Sequence, residues 1–147
     1  MASTDDPSSF LSAKPFVPPV TSGYVVDVHD GDTITVCSTL PFSHSPTYRF
    51  RIRLSGIDTP ELKSKDAEER DVARLARDYL SGQVLNKWVA LRNVKVEKYG
   101  RLLADVYLGD IHLNQNLLDK RYAVKYGGKK KVSPVSWKAF LESGSWT

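Results

Sequence analysis

Val25, Val26 and Val28 lead into Asp30-Gly31-Asp32, and Thr33-Ile34-Thr35-Val36-Cys37 follows with polar and apolar residues alternating. Alternation of period two puts one side of a strand on a core, and Asp-Gly favours a tight turn, so this stretch predicts a hairpin. Residues 39–47 are rich in Ser and Pro and predict a loop. The strictest alternation comes next, from Tyr48 to Leu54. It places Tyr48, Phe50, Ile52 and Leu54 on the core side and Arg49, Arg51 and Arg53 on the other.

From Asp66 the period lengthens. Asp66 with Glu69 three residues on predicts a capping box, and Val72, Leu75, Ala76, Tyr79 and Leu80 recur at helical spacing until Ser81-Gly82 stops the helix. Trp88 to Val96 alternates again, Lys98-Tyr99-Gly100 breaks the run, and Leu102 to Leu108 predicts a strand ending at a Gly109-Asp110 turn. Ile111 to Leu113 would answer it. Asn114 is expected to cap a short helix running to Arg121, and Ser133-Pro134 to start a last helix carrying Trp137, Phe140 and Leu141. About five strands and three helices fit a mainly β or α+β class, a small Greek-key barrel with helices packed outside.

Length allows one such domain. The chain has 147 residues, enough to bury about 70% of its unfolded surface. Residues 1–19 are Ser, Pro and Asp rich without any period and read as a flexible N-terminal arm, leaving residues 20–147 as the domain. A single cysteine, Cys37, excludes an intramolecular disulfide and a multi-cysteine zinc site, and its place in a strand predicts a buried small hydrophobe. The sequence holds no apolar run of membrane-spanning length, so no membrane partner is expected. Its first twenty residues lack the charged start and apolar stretch of a secretory signal. The compartment stays open between an intracellular protein and a mature fragment.

Charge narrows the partners. The chain carries 21 Lys plus Arg against 17 Asp plus Glu, a net of +4. Residues 1–30 are net acidic, whereas Lys120, Arg121, Lys125, Lys129, Lys130, Lys131 and Lys138 face only Glu142 in residues 120–147. Such a segment suits a polyanion, although the Lys129–Lys131 run alone also reads as a solvated tail. His29, His44 and His112 are scattered. Trp88, Trp137 and Trp146 have no phased stacking pattern and are expected to pack in the core or an interface.

Four carboxylates fall at turns or strand ends: Asp30 and Asp32 in DGDT, Asp58 and Glu61 in IDTPE. Each motif taken alone also reads as an ordinary turn. The arginine strand between them, with Arg53 near its end, and the turn Lys98-Tyr99-Gly100-Arg101 add cations at strand mouths. That combination makes a candidate site. DGDT at 30–33, RLSGIDTPE at 53–61 and KYGR at 98–101, followed by a strand, a Gly-Asp turn and a helix, resemble the staphylococcal nuclease, or thermonuclease, family from about Val25 to Lys125.

That resemblance implies an OB-fold barrel with three helices and a metal-dependent phosphodiesterase that cleaves DNA and RNA with little base preference, leaving 3′-phosphate products. An all-oxygen ligand set without Cys or His suits a hard ion, so calcium or another divalent ion is the implied cofactor. Asp32 and Asp58 would bind it directly with the Thr59 carbonyl, Asp30 standing behind them. Glu61 would orient or deprotonate the attacking water, and Arg53 and Arg101 would clamp the phosphate. Lys98, Tyr99 and Tyr126 match substrate-contacting positions. A monomer acting on nucleic acid is expected. The competing readings are a non-catalytic OB-fold module that holds single-stranded nucleic acid, and a protein-interaction barrel using the Lys129–Lys131 loop.

Overall fold

The computed structural model describes residues 6–147; residues 1–5, the start of the expected arm, lie outside it. Pro7–Ser12 forms a single 3-10 stretch that buries none of its residues. Strands β1 (Ser22–Asp30) and β2 (Thr33–Thr39) make the expected hairpin, turned by Gly31 and Asp32. Strand β3 (Thr47–Leu54) pairs antiparallel with β2 along its full length, from Thr39 opposite Thr47 to Thr33 opposite Arg53. After a Ser55-Gly56 turn come the two-residue β4 (Ile57–Asp58) and helix α1 (Ala67–Val84). Gly56 has φ +77°, a conformation that a residue with a Cβ adopts only at a cost.

Strand β5 (Trp88–Val96) lies against β1, and β6 (Leu102–Leu108) pairs with β5 and then parallel with the end of β3, Ile52 opposite Leu102. That last pairing closes five strands into a barrel. Two-residue β7 (Ile111–His112), α2 (Leu113–Asp119), two-residue β8 (Val124–Lys125) and α3 (Trp137–Ser143) complete the chain. Val25, Ile34, Val36, Ile52, Leu54, Leu80, Val84, Val106, Leu113 and Leu117 are fully buried inside, each worth about 1.5–3 kcal/mol relative to exposure. A smaller cluster of Val72, Val124, Trp137 and Phe140 locks α3 to α1.

Several sequence expectations need correction. Helix α1 passes through Ser81-Gly82 to Val84, because Leu80 and Val84 carry its apolar stripe on into the core and outweigh the glycine. Leu75, expected inward, is 50% exposed. Asp66 does cap α1 through the Glu68 N–H, but Glu69 turns away from the cap. Helix α2 is capped at His112 and ends at Asp119, with Asn114 inside it and buried. Asn114 accepts from the Val106 N–H at 2.9 Å and donates to the Ser55 and Ala104 carbonyls, tying α2 to β6 and to the turn after β3. Helix α3 starts from Ser136, not Ser133-Pro134, because the Ser136 hydroxyl accepts the Ala139 N–H. Cys37 is half-buried and alternates out of phase with the buried Val36, so it faces away from the core. On β3, Tyr48 is 43% exposed and Phe50 half-buried, because the strand's first half overhangs the barrel; Ile52 and Leu54 are buried as expected. Trp137 packs in the smaller cluster, whereas Trp88 and Trp146 are exposed.

Candidate active site

The DGDT turn is built for close approach. A Cβ on Gly31 would stand 3.0 Å from the Ala76 Cβ and 3.2 Å from Thr59, so glycine lets the turn press onto α1 and onto IDTPE. Asp30 Oδ1 accepts the Asp32 N–H at 3.0 Å, and Asp32 Oδ1 accepts the Thr33 hydroxyl at 3.0 Å. Those bonds aim the second Asp32 oxygen across the barrel mouth.

Arg53 meets it there. Its Nη2 lies 3.4 Å from Asp32 Oδ2 and 3.5 Å from Asp58 Oδ1, with all three side chains buried. Burying ions is costly unless they are paired, so this trio holds together as a unit. Asp58 is fixed by β4, which pairs with β8 through Asp58 opposite Val124 and Ile57 opposite Lys125. The Tyr126 N–H continues the pairing to the Gly56 carbonyl at 2.9 Å, and the Arg53 guanidinium sits 5.4 Å from the Tyr126 ring centre. Glu69 of α1 accepts the Glu61 N–H at 2.8 Å and so anchors IDTPE from below.

Lys131 was legible only as part of a basic run. In the structure its ammonium lies 3.5 Å from Asp58 Oδ1 and 3.2 Å from Glu61 Oε1, contacts set by tertiary folding that no local pattern announces. Burial pulls the Lys131 pKa down, but the Asp58 and Glu61 carboxylates outweigh it, and the net shift is upward. Burial likewise raises Asp58 against the opposing pull of Lys131. Asp30 is pushed up to about 7, first by burial and then by the Asp32 charge beside it. Burial beside Asp32 thus disfavours a second full negative charge on Asp30.

The expected residues gather around two adjoining hollows. One, of about 340 Å³, is lined by Asp30, Asp32, Arg53, Asp58, Thr59 and Glu61, and also by His29, Arg101 and Lys131. The second, of about 580 Å³, shares Arg53, Arg101 and Lys131 and adds Lys98, Tyr99 and Tyr126. Arg101 is ion-paired with Glu97, and Tyr99 is 80% exposed with Lys98 Nζ 5.7 Å from its ring centre. Among the described residues no three His, Cys, Asp or Glu side chains converge as a ready cation cage. Chemically, the arrangement offers two buried carboxylates, a half-buried one, an exposed one, two guanidiniums and an ammonium around one space large enough for a phosphate.

Comparison of the sequence with known proteins identifies its family. The family profile described as Staphylococcal nuclease homologue matches residues 51–141, which covers every motif above except DGDT. An uncharacterised endonuclease of Escherichia coli O157:H7 is 36% identical over 94 residues, 63% of this chain and 53% of that protein. The probable endonuclease LCL3 of Paracoccidioides lutzii is 31% identical over 103 residues, 58% and 30% of the two chains. An uncharacterised protein of Bacillus anthracis is 31% identical over 105 residues, 69% and 46%. The matched region thus spans about half or less of these relatives' lengths. With the profile covering more than half of its residues and the barrel closed as that resemblance implies, the chain belongs to the staphylococcal nuclease family.

Proposed function

We propose that this chain is a divalent-metal-dependent phosphodiesterase that hydrolyses DNA and RNA with little base preference and leaves 3′-phosphate ends. The carrying observation is Arg53 held between the buried Asp32 and Asp58 at the wall of the space that Glu61 and Arg101 also line. The donors are all hard oxygens, and a divalent cation beside Asp32 would favour the ionised form of Asp30, which burial and then the Asp32 charge disfavour. Both features fit calcium, with Asp32, Asp58 and the Thr59 carbonyl holding it and Asp30 behind Asp32. Such an ion would supply positive charge to the phosphate oxygens as negative charge builds on them.

The chain's own groups do the rest. Arg53 and Arg101 present fixed forks of N–H donors to phosphate oxygens, and such contacts strengthen as charge accumulates in the transition state. Glu61, with its side chain 60% exposed, stands at the open side where water enters. It takes the proton from the water as its oxygen bonds to phosphorus. The P–O5′ bond breaks with its electron pair on O5′, which picks up a proton from solvent. Tyr99, Lys98 and Tyr126 line the neighbouring hollow and hold the adjoining nucleotide. Contacts to phosphate and sugar carry no base code, hence the low base preference.

Cleavage of matched DNA and RNA, followed with calcium and with chelator and for Glu61→Gln and Arg53→Ala, tests this. Calcium-dependent cutting that both substitutions lower by about 100-fold or more is expected. Tight binding without turnover under any divalent ion would make the chain a binding module instead.

A further inference from the structure

Beyond the cleavage site, the outer side of the barrel carries a second ordered set of groups. Arg49, Arg51 and Arg53 alternate along one side of β3, about 6.6 Å apart. Arg49 and Arg51 are exposed, and neither takes part in an ion pair among the described residues. Their neighbours across β2 are Cys37 and Thr35. Asp27 stands opposite Thr35 on β1, and it makes no ion pair with Arg49 or Arg51.

At Arg49 the row turns across the sheet. Arg49 faces Cys37, Cys37 faces Tyr24, and Tyr24 faces Trp88, so four side chains of four strands stand in one line about 14 Å long. Trp88 is 63% exposed and meets Tyr24 edge to face at 5.8 Å, which leaves a broad indole surface open to solvent. Beside it lies a hollow of about 800 Å³ lined by Tyr24, Cys37, Ser38, Thr39, Thr47 and Trp88. Guanidiniums at regular spacing followed by an open indole are the two components of a single-strand binding surface, one for phosphates and one for a stacked base.

We propose that the line from Arg53 through Arg51 and Arg49 to Trp88 is a track for a single-stranded polynucleotide leading away from the cleaved phosphate. The proposal rests on the nuclease reading for its direction, since Arg53 belongs to the cleavage site, but the track binds with or without turnover. Trp88 selects an unpaired strand, because a base already stacked in a duplex has no open face to offer.

The test measures binding of a labelled oligothymidine of about 16 nucleotides, near the upper end of one OB barrel's site, in chelator across a salt series. Arg49→Gln with Arg51→Gln is expected to lower the slope of log affinity against log salt by about 1.4, at about 0.7 for each phosphate that is no longer neutralised. Arg49→Lys with Arg51→Lys should retain the slope, and Trp88→Ala should weaken binding about tenfold without changing it. Cleavage of a nitrophenyl ester of thymidine phosphate, too short to reach β3's first half, should be unaltered in all of them. An unchanged slope and affinity in the glutamine pair would overturn the track. Whether the unaltered protein cuts anything bears on the proposed chemistry alone, because the binding slope decides the track either way.

Discussion

Asp30→Asn isolates the cost of burying a carboxyl beside Asp32. Asparagine keeps an Oδ1 to accept the Asp32 N–H, so the turn survives and only the ionisable group is lost. With the Asp30 pKa at about 7 against an ordinary 3.8, about three units separate the folded and unfolded chains, an upper bound of ~4 kcal/mol. Water still reaches this half-buried carboxyl, and screening brings the expected effect to about 2–4 kcal/mol. The sign follows from proton binding: between about pH 4 and pH 7 the folded state holds the proton more tightly. Wild-type stability is therefore present below about pH 4 and lost as pH rises through 7. Urea unfolding in chelator, read by tryptophan fluorescence, should find the two proteins alike near pH 4 and the variant 2–4 kcal/mol more stable near pH 8. Calcium should stabilise the wild type at the higher pH and narrow that gap. A difference that does not vary with pH would refute the claim that Asp30 is destabilised by burial beside Asp32.

Arg53→Ala leaves Asp32 and Asp58 buried without their shared cation and should cost about 3 kcal/mol in thermal or urea unfolding, together with about 100- to 1000-fold in cleavage. Lys131→Ala removes a cation that touches Asp58 and Glu61, so terbium luminescence should show divalent and trivalent ions binding a few-fold more tightly, with less than ~1 kcal/mol change in stability at this half-exposed site. Asn114→Ala leaves the Val106 N–H without its amide acceptor and takes a donor from the Ser55 and Ala104 carbonyls, of which Ala104 keeps the Ser55 N–H, and should destabilise by about 2–3 kcal/mol, seen as a lower urea midpoint with an unchanged m-value.

The barrel was legible where local period and burial agree. The strand from Tyr48 to Leu54 with Ile52 and Leu54 inward, the Asp30–Asp32 hairpin and the start of α1 at Asp66 all come from short-range steric and hydrogen-bonding preferences, and each stands where the pattern puts it. Disagreements arose where distant partners decide. Gly82 reads as a stop, yet the core contacts of Val84 hold the helix past it. Glu69 reads as half of a capping box, yet the Glu61 N–H and the Ser64 hydroxyl offer it better partners. Asn114 reads as a cap because side-chain amides favour helix starts, and only the closed barrel reveals the three backbone groups that claim it. The carboxylates and arginines of the site were nameable one by one. That Lys131 would reach them could not be read, since its distance from Asp58 along the chain hides their closeness in space.

The β4–β8 pair has a consequence for how the protein is made. Asp32, Arg53 and Asp58 leave the ribosome early, but Arg53 has no barrel to close until β6 arrives, and Asp58 has no strand to lie against until Val124 and Lys125 follow. A growing chain therefore holds every proposed metal-binding side chain long before it holds a site. The proposed site is therefore assembled only once Val124 and Lys125 have followed, late in the synthesis of this domain.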